Sequence, residues 1–122
     1  MKNHFYLILV TIFLINIVSC QPNKDESACN VEDPLQLCWI KELIQDLRND
    51  SSVIEAEILL YRFESNDYFL VKQKKDSIYD IPTGHIYDCK GTIKYACGGN
   101  QQNDSCSIFL SKSLKITSLW IK

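Results

Sequence analysis

Asp33-Pro34-Leu35-Gln36-Leu37-Cys38-Trp39-Ile40-Lys41-Glu42-Leu43-Ile44-Gln45-Asp46-Leu47-Arg48 is followed, after Asn49-Asp50-Ser51-Ser52, by Val53-Ile54-Glu55-Ala56-Glu57-Ile58-Leu59-Leu60-Tyr61-Arg62-Phe63. The change of period between these two runs decides the fold. In the first, Leu37, Ile40, Leu43, Ile44 and Leu47 fall on one 3.6-residue face, with Lys41, Glu42, Gln45 and Asp46 mainly opposite. Asp33 is placed to cap the helix, Pro34 suits its first position, and Gln36 sits where a capping box closes. Arg48 suits the negative C-terminal end. The spacing predicts an amphipathic helix over 34–48. In the second run Ile54, Ala56, Ile58 and Leu60 alternate with Glu55 and Glu57, the period of a half-buried strand.

The rest of the chain continues as strands. Glu64-Ser65-Asn66-Asp67 is turn chemistry and 68–74 returns, making a hairpin. Ile81-Pro82-Thr83-Gly84 is a break. Residues 85–88 and 92–97 flank Cys89-Lys90-Gly91, a second hairpin with a glycine available for positive φ. Residues 98–104 read as a polar loop, and 107–110 and 114–121 as two closing strands. The expected fold class is α+β: one N-terminal amphipathic helix packed on an antiparallel sheet of four to six strands.

Upstream of this domain, Lys2 and His4 precede an apolar run, 5–18, broken only by Thr11 and Asn16. At about 1.5 Å per residue that run is short of the roughly 30 Å hydrocarbon core, so it reads as the apolar stretch of an export signal. It ends Ile17-Val18-Ser19-Cys20, which resembles the lipobox of bacterial lipoproteins. The resemblance implies a signal peptide over 1–19, cleavage before Cys20 and acylation of its sulfur. More than one acyl chain, at about 0.8 kcal/mol per buried methylene, gives stable anchoring. Lys24-Asp25-Glu26 looks like the surface-export signal of lipoproteins in Bacteroidota. The expected location is therefore the outer membrane, lipid-anchored and surface-exposed, with the periplasm-facing leaflet as the alternative. Residues 20–32 form a tether and 33–122 the single domain.

Several landmarks together resemble a family of small uncharacterised lipoproteins of Bacteroidota. They are Cys38-Trp39-Ile40-Lys41, Tyr61-Arg62-Phe63, Tyr87 through Gly91, Cys97-Gly98-Gly99, Cys106, and Trp120-Ile121-Lys122. The match spans about residues 35–122. This chain departs from the family where Tyr79-Asp80-Ile81 replaces a Cys-Cys-Asp and Asn100-Gln101-Gln102-Asn103 replaces a Gly-rich acidic loop. The resemblance implies a fold and a location but no activity.

Six cysteines are present. An exported chain oxidises them, and with Cys20 acylated the remaining five allow several connectivities. Cys97–Cys106 is the expected bridge, because strand-like sequence flanks the flexible loop between them. Cys38–Cys89, joining helix to hairpin turn, is the second. Cys29 is then a free thiol or an intermolecular link.

No residue set points to catalysis. The domain has one histidine, His85, and no cofactor motif: Gly98-Gly99 precedes no helix with Lys-Ser/Thr. The seven carboxylates between Glu55 and Asp88 lack calcium-loop spacing. No metal site is expected. The chain has 13 Lys+Arg against 15 Asp+Glu, with Lys72, Lys74 and Lys75 its densest basic cluster, and so lacks an electrostatic footprint for nucleic acid. Asp76-Ser77-Ile78 resembles an O-glycosylation sequon of Bacteroidota, with Ser77 as acceptor. These features favour a non-catalytic binding module of the envelope, such as an inhibitor, immunity-type or adhesion protein, with a protein or glycan partner. A structural component of an envelope complex is the alternative, and a small hydrolase comes third.

Overall fold

The structure is a computed structural model and describes residues 31–76, 83–98 and 105–122. Five antiparallel strands form one sheet: β1 (Val53–Phe63), β2 (Asn66–Lys75), β3 (Thr83–Tyr87), β4 (Ile93–Cys97) and β5 (Leu114–Ile121), in the order β4-β3-β2-β1-β5. Helix α1 (Cys38–Asn49) precedes the sheet, and α2 (Ser105–Lys112) connects β4 to β5. The expected α+β class and strand number hold. The leader, most of the tether, Cys20, Lys24, Asp25, Glu26, Cys29 and Ser77 lie outside the described residues.

The helix expected over 34–48 is divided. Pro34–Gln36 form a 3₁₀ turn, and Leu37, with ψ of 128°, interrupts the helical backbone before α1 begins. Asp33 caps as expected, accepting from the Leu35 amide at 3.2 Å, but Gln36 reaches the Asp33 carboxylate instead of its backbone. At the other end the Lys122 ammonium donates to the Leu47 and Asp50 carbonyls, at 2.6 and 2.9 Å. A cation on these orphan acceptors complements the helix dipole.

Strand β1 is the spine because it pairs on both sides. Its centre, Ile58-Leu59-Leu60, is buried on both faces. Ile58 and Leu60 join Ala56, Phe69, Val71, Ile40 and Leu47 under α1. Leu59 joins Leu70, Ile86, Cys106 and Phe109 under α2. Each face of the sheet thus carries one helix, where the sequence predicted one covered face. The expected placement of Ile54 with Ala56 and Ile58 also fails. The register slips between Val53 and Glu55, so Val53 is buried and Ile54 is exposed.

Residues 107–110, read as a strand, belong to α2. A short apolar run does not distinguish strand from helix by itself. The tertiary environment decides it: Cys106 and Phe109, three residues apart, point together into the sheet, the spacing of a helix face. Phe109 meets the rings of Phe63, Tyr68 and Tyr95 at centroid distances of 5.5, 4.9 and 5.1 Å. Because β4 and β5 run in the same direction at opposite edges, α2 is the crossover between them.

The expected Cys97–Cys106 disulfide is present and fixes the start of α2 to the end of β4. Closing this loop should contribute about 2–3 kcal/mol in the chain-entropy model. The Cys97→Ser/Cys106→Ser double variant is therefore expected to lose that amount in urea unfolding, and an unchanged midpoint would contradict it. Cys38 and Cys89 are each in a disulfide. Trp39, the neighbour of Cys38 and about 100° further round the helix, also joins α1 to the second hairpin turn. The Trp39 indole donates to the Cys89 carbonyl at 2.8 Å and stacks on Tyr87 at 5.3 Å.

Candidate functional site

Among the described residues the sheet has two outer edges, those of β4 and β5, and the longer is the outer edge of β5. Among the described residues no strand pairs with it. Leu114 through Ser118 are five consecutive exposed residues, and Leu114 and Ile121 are 66% and 68% exposed. Two register slips against β1, at Ile58/Leu59 and Leu60/Tyr61, twist the strand but leave it without proline or an inward charge. Such an edge carries backbone donors and acceptors open to another strand.

A groove of about 520 Å³ runs beside this edge. Leu35 and Ile44 from the helical side and Trp120 from β5 give it apolar walls, and Lys41, Gln45, Arg48 and Asn49 line the rest. Helical geometry accounts for the set. Lys41, Ile44, Gln45 and Arg48 recur at three and four residues on the flank of α1 beside the buried Ile40–Leu47 stripe. Arg48 stands over the Trp120 ring, 5.8 Å from its centroid, so the indole holds the cation at the mouth. Lys41 is steadied by the Gln36 side-chain oxygen at 2.7 Å. Just beyond, the Asp50 carboxyl is held below the usual range by the Ser52 hydroxyl and amide.

A second concavity, about 400 Å³, is lined by Glu55, Glu57, Lys72, Lys74, Ile121 and Lys122, among others. Its charges alternate across the β1–β2 ladder, Glu57 opposite Lys72 and Glu55 opposite Lys74, the latter pair 3.9 Å apart. Opposed exposed charges of this kind satisfy each other and are worth little. The lysine cluster of β2 is thus an edge-of-strand feature facing carboxylates.

His85 lies on β3 between Val71 and Ala96, with the Tyr87 ring 6.3 Å away. Cys89 is disulfide-bonded and cannot serve as a thiolate beside it. Among the described residues no three His, Cys, Asp or Glu side chains gather where they could hold a metal ion. Among the described residues the one buried carboxylate, Asp67, accepts from Arg62 at 2.8 Å and from the Val31 amide at 3.4 Å. That pairing raises the Arg62 pKa and ties the start of the domain to the first hairpin. Tyr87 is shifted upward by burial alone. Among the described residues no helix is long and apolar enough to cross a membrane.

Sequence reasoning did not single out the β5 edge or the groove. The aliphatics of 114–121 were legible, but their exposure was not, because it depends on β5 lying outermost. From the sequence, Lys41 reads as part of the polar helix face and Arg48 as a complement to the helix C-terminus; neither reading places Trp120 beside them. No protein-family model, curated protein or solved structure matches this chain.

Proposed function

We propose that the chain is a lipid-anchored envelope protein whose folded domain is a non-catalytic binding module. The observation that supports this most is the β5 edge: exposed, aliphatic and unpaired among the described residues. This edge carries Lys115 and two register slips but no covering element among the described residues, which leaves it open to another strand. The sequence features at Cys20 and Lys24-Asp25-Glu26 supply the anchor and surface display, and the family-like landmarks agree with that address. The partner is a protein, since a strand edge recognises polypeptide backbone.

The test uses intact bacterial cells. A photo-cross-linking amino acid replaces Leu114 or Ile116, with Glu42 on the outer face of α1 as control. Discrete adducts of one protein are expected from both β5 positions and not from position 42. Their absence from β5 would overturn the binding reading. In the same cells Cys20→Ala should abolish acyl labelling; a cleaved, membrane-retained Cys20→Ala protein would overturn the anchoring.

A further inference from the structure

We propose that the groove between α1 and β5 receives an extended, carboxylate-bearing polypeptide segment that adds to the sheet as a sixth strand. This rests on the binding-module reading and specifies its ligand. The argument begins with position. Of the residues lining the groove, Trp120 alone comes from the sheet and none comes from β1, so the groove opens on the outer flank of β5. A strand hydrogen-bonded to that edge would run about 4.8 Å from β5. Alternate side chains of such a strand point to the α1 side of the sheet. There they would meet Leu35, Ile44 and Trp120. Strand addition beside a helix recognises ligands in this way: the backbone gives affinity, and pockets for alternate side chains give selectivity.

Charge selects the ligand class. The groove lining holds two cations, Lys41 and Arg48, and no carboxylate. Glu42 and Asp46 lie about 100° to 140° further round α1 than Lys41 and do not line it. Lys115 sits among the exposed residues of β5 itself, and Lys112 closes α2 just before that strand. An entering segment with an Asp, Glu or terminal carboxylate at the helix side gains a guanidinium and an ammonium partner. Within the groove lining a basic segment meets only like charge. The same cations disfavour a second copy of this edge, whose own charged residues from 112 to 122 are Lys112, Lys115 and Lys122.

The test follows amide signals of the mature chain by NMR while two decapeptides are added. Both alternate Val with Thr; one carries Asp at two positions and the other Lys at the same two. The acidic peptide should shift signals of β5 and the groove flank of α1, and bind about tenfold more tightly than the basic one. Lys41→Glu/Arg48→Glu should invert that order, an outcome that general loss of fold cannot produce. Ile116→Lys should weaken both peptides. Equal binding of the two peptides, shifts confined elsewhere, or no shifts at millimolar peptide would overturn the proposal. So would concentration-dependent dimerisation through β5, or closure of the edge by residues 20–32. Retention of the β5 cross-links on cells by Lys41→Glu/Arg48→Glu, with no change in peptide preference, would remove this proposal and leave the binding module standing.

Discussion

Phe69→Ala is expected to destabilise the domain by about 3–5 kcal/mol, much of what a domain of this size possesses. Phe69 is fully buried near the middle of β2, paired with Leu60 on one side and Tyr87 on the other. The Trp39 ring meets it edge-on at 5.4 Å, so it is where α1 and three strands converge. Truncation loses both the transfer free energy of the ring and the contacts around the cavity it leaves. The β1–β2 ladder on either side resists collapse into that space. Urea unfolding should show a lower midpoint at unchanged slope, while Ile54→Ala, at an exposed bulge, should move it little. A loss below about 1 kcal/mol for Phe69→Ala would mean that α1 does not pack on this face.

Gly91→Ala should be the second most damaging change, at about 2–4 kcal/mol. Two costs coincide there. The backbone holds φ at +77°, which L-residues with a Cβ adopt reluctantly, and the new Cβ would lie 2.9 Å from Trp39 Cγ. The turn cannot readily relax, because Asp88 Oδ1 accepts from both the Lys90 and Thr92 amides at 2.9 Å. Trp39 must therefore move, which stretches its hydrogen bond to Cys89 and its stacking on Tyr87. Gly84→Ala is the control. Its Cβ would meet Val71, Leu70 and Cys97 at 3.2–3.5 Å, with no positive φ, so its cost should be well under that of Gly91→Ala in the same unfolding assay.

The contrast between these glycines shows what could be read from residue order. Gly91 was legible as a positive-φ turn residue because it sits between two strand-like runs. Its contact with Trp39 was not, since nothing local says that a helix fifty residues earlier packs on that turn. The same division holds elsewhere. Helix α1 and the hairpin β1–β2 announce themselves by their periods, whereas α2 does not, because eight residues with two buried positions give too little period to detect. Ile54 follows the alternation of its neighbours and is still turned outward, since a bulge removes one residue from the count. The candidate site was the least legible part. Edge status belongs to the order of strands across a sheet, and that order was fixed here by a crossover whose helix read as a strand.

That crossover has a consequence for how the chain is made. Strands β1 to β4 form a meander of neighbouring strands that can assemble as they leave the ribosome. β5 cannot join them until later, since Glu57 pairs with Ile121, 64 residues further along the chain. Until then β1, with Ile58 and Leu60 on its flank, is the open edge of a four-stranded nascent sheet, and the slow non-local pairing that closes it comes last. A chain stopped before Leu114 would keep that edge for life and would be prey for aggregation and quality-control proteolysis. Once β5 pairs, the sheet exchanges the edge of β1, rich in core residues, for that of β5, so the edge proposed to bind a partner first exists only after that late pairing.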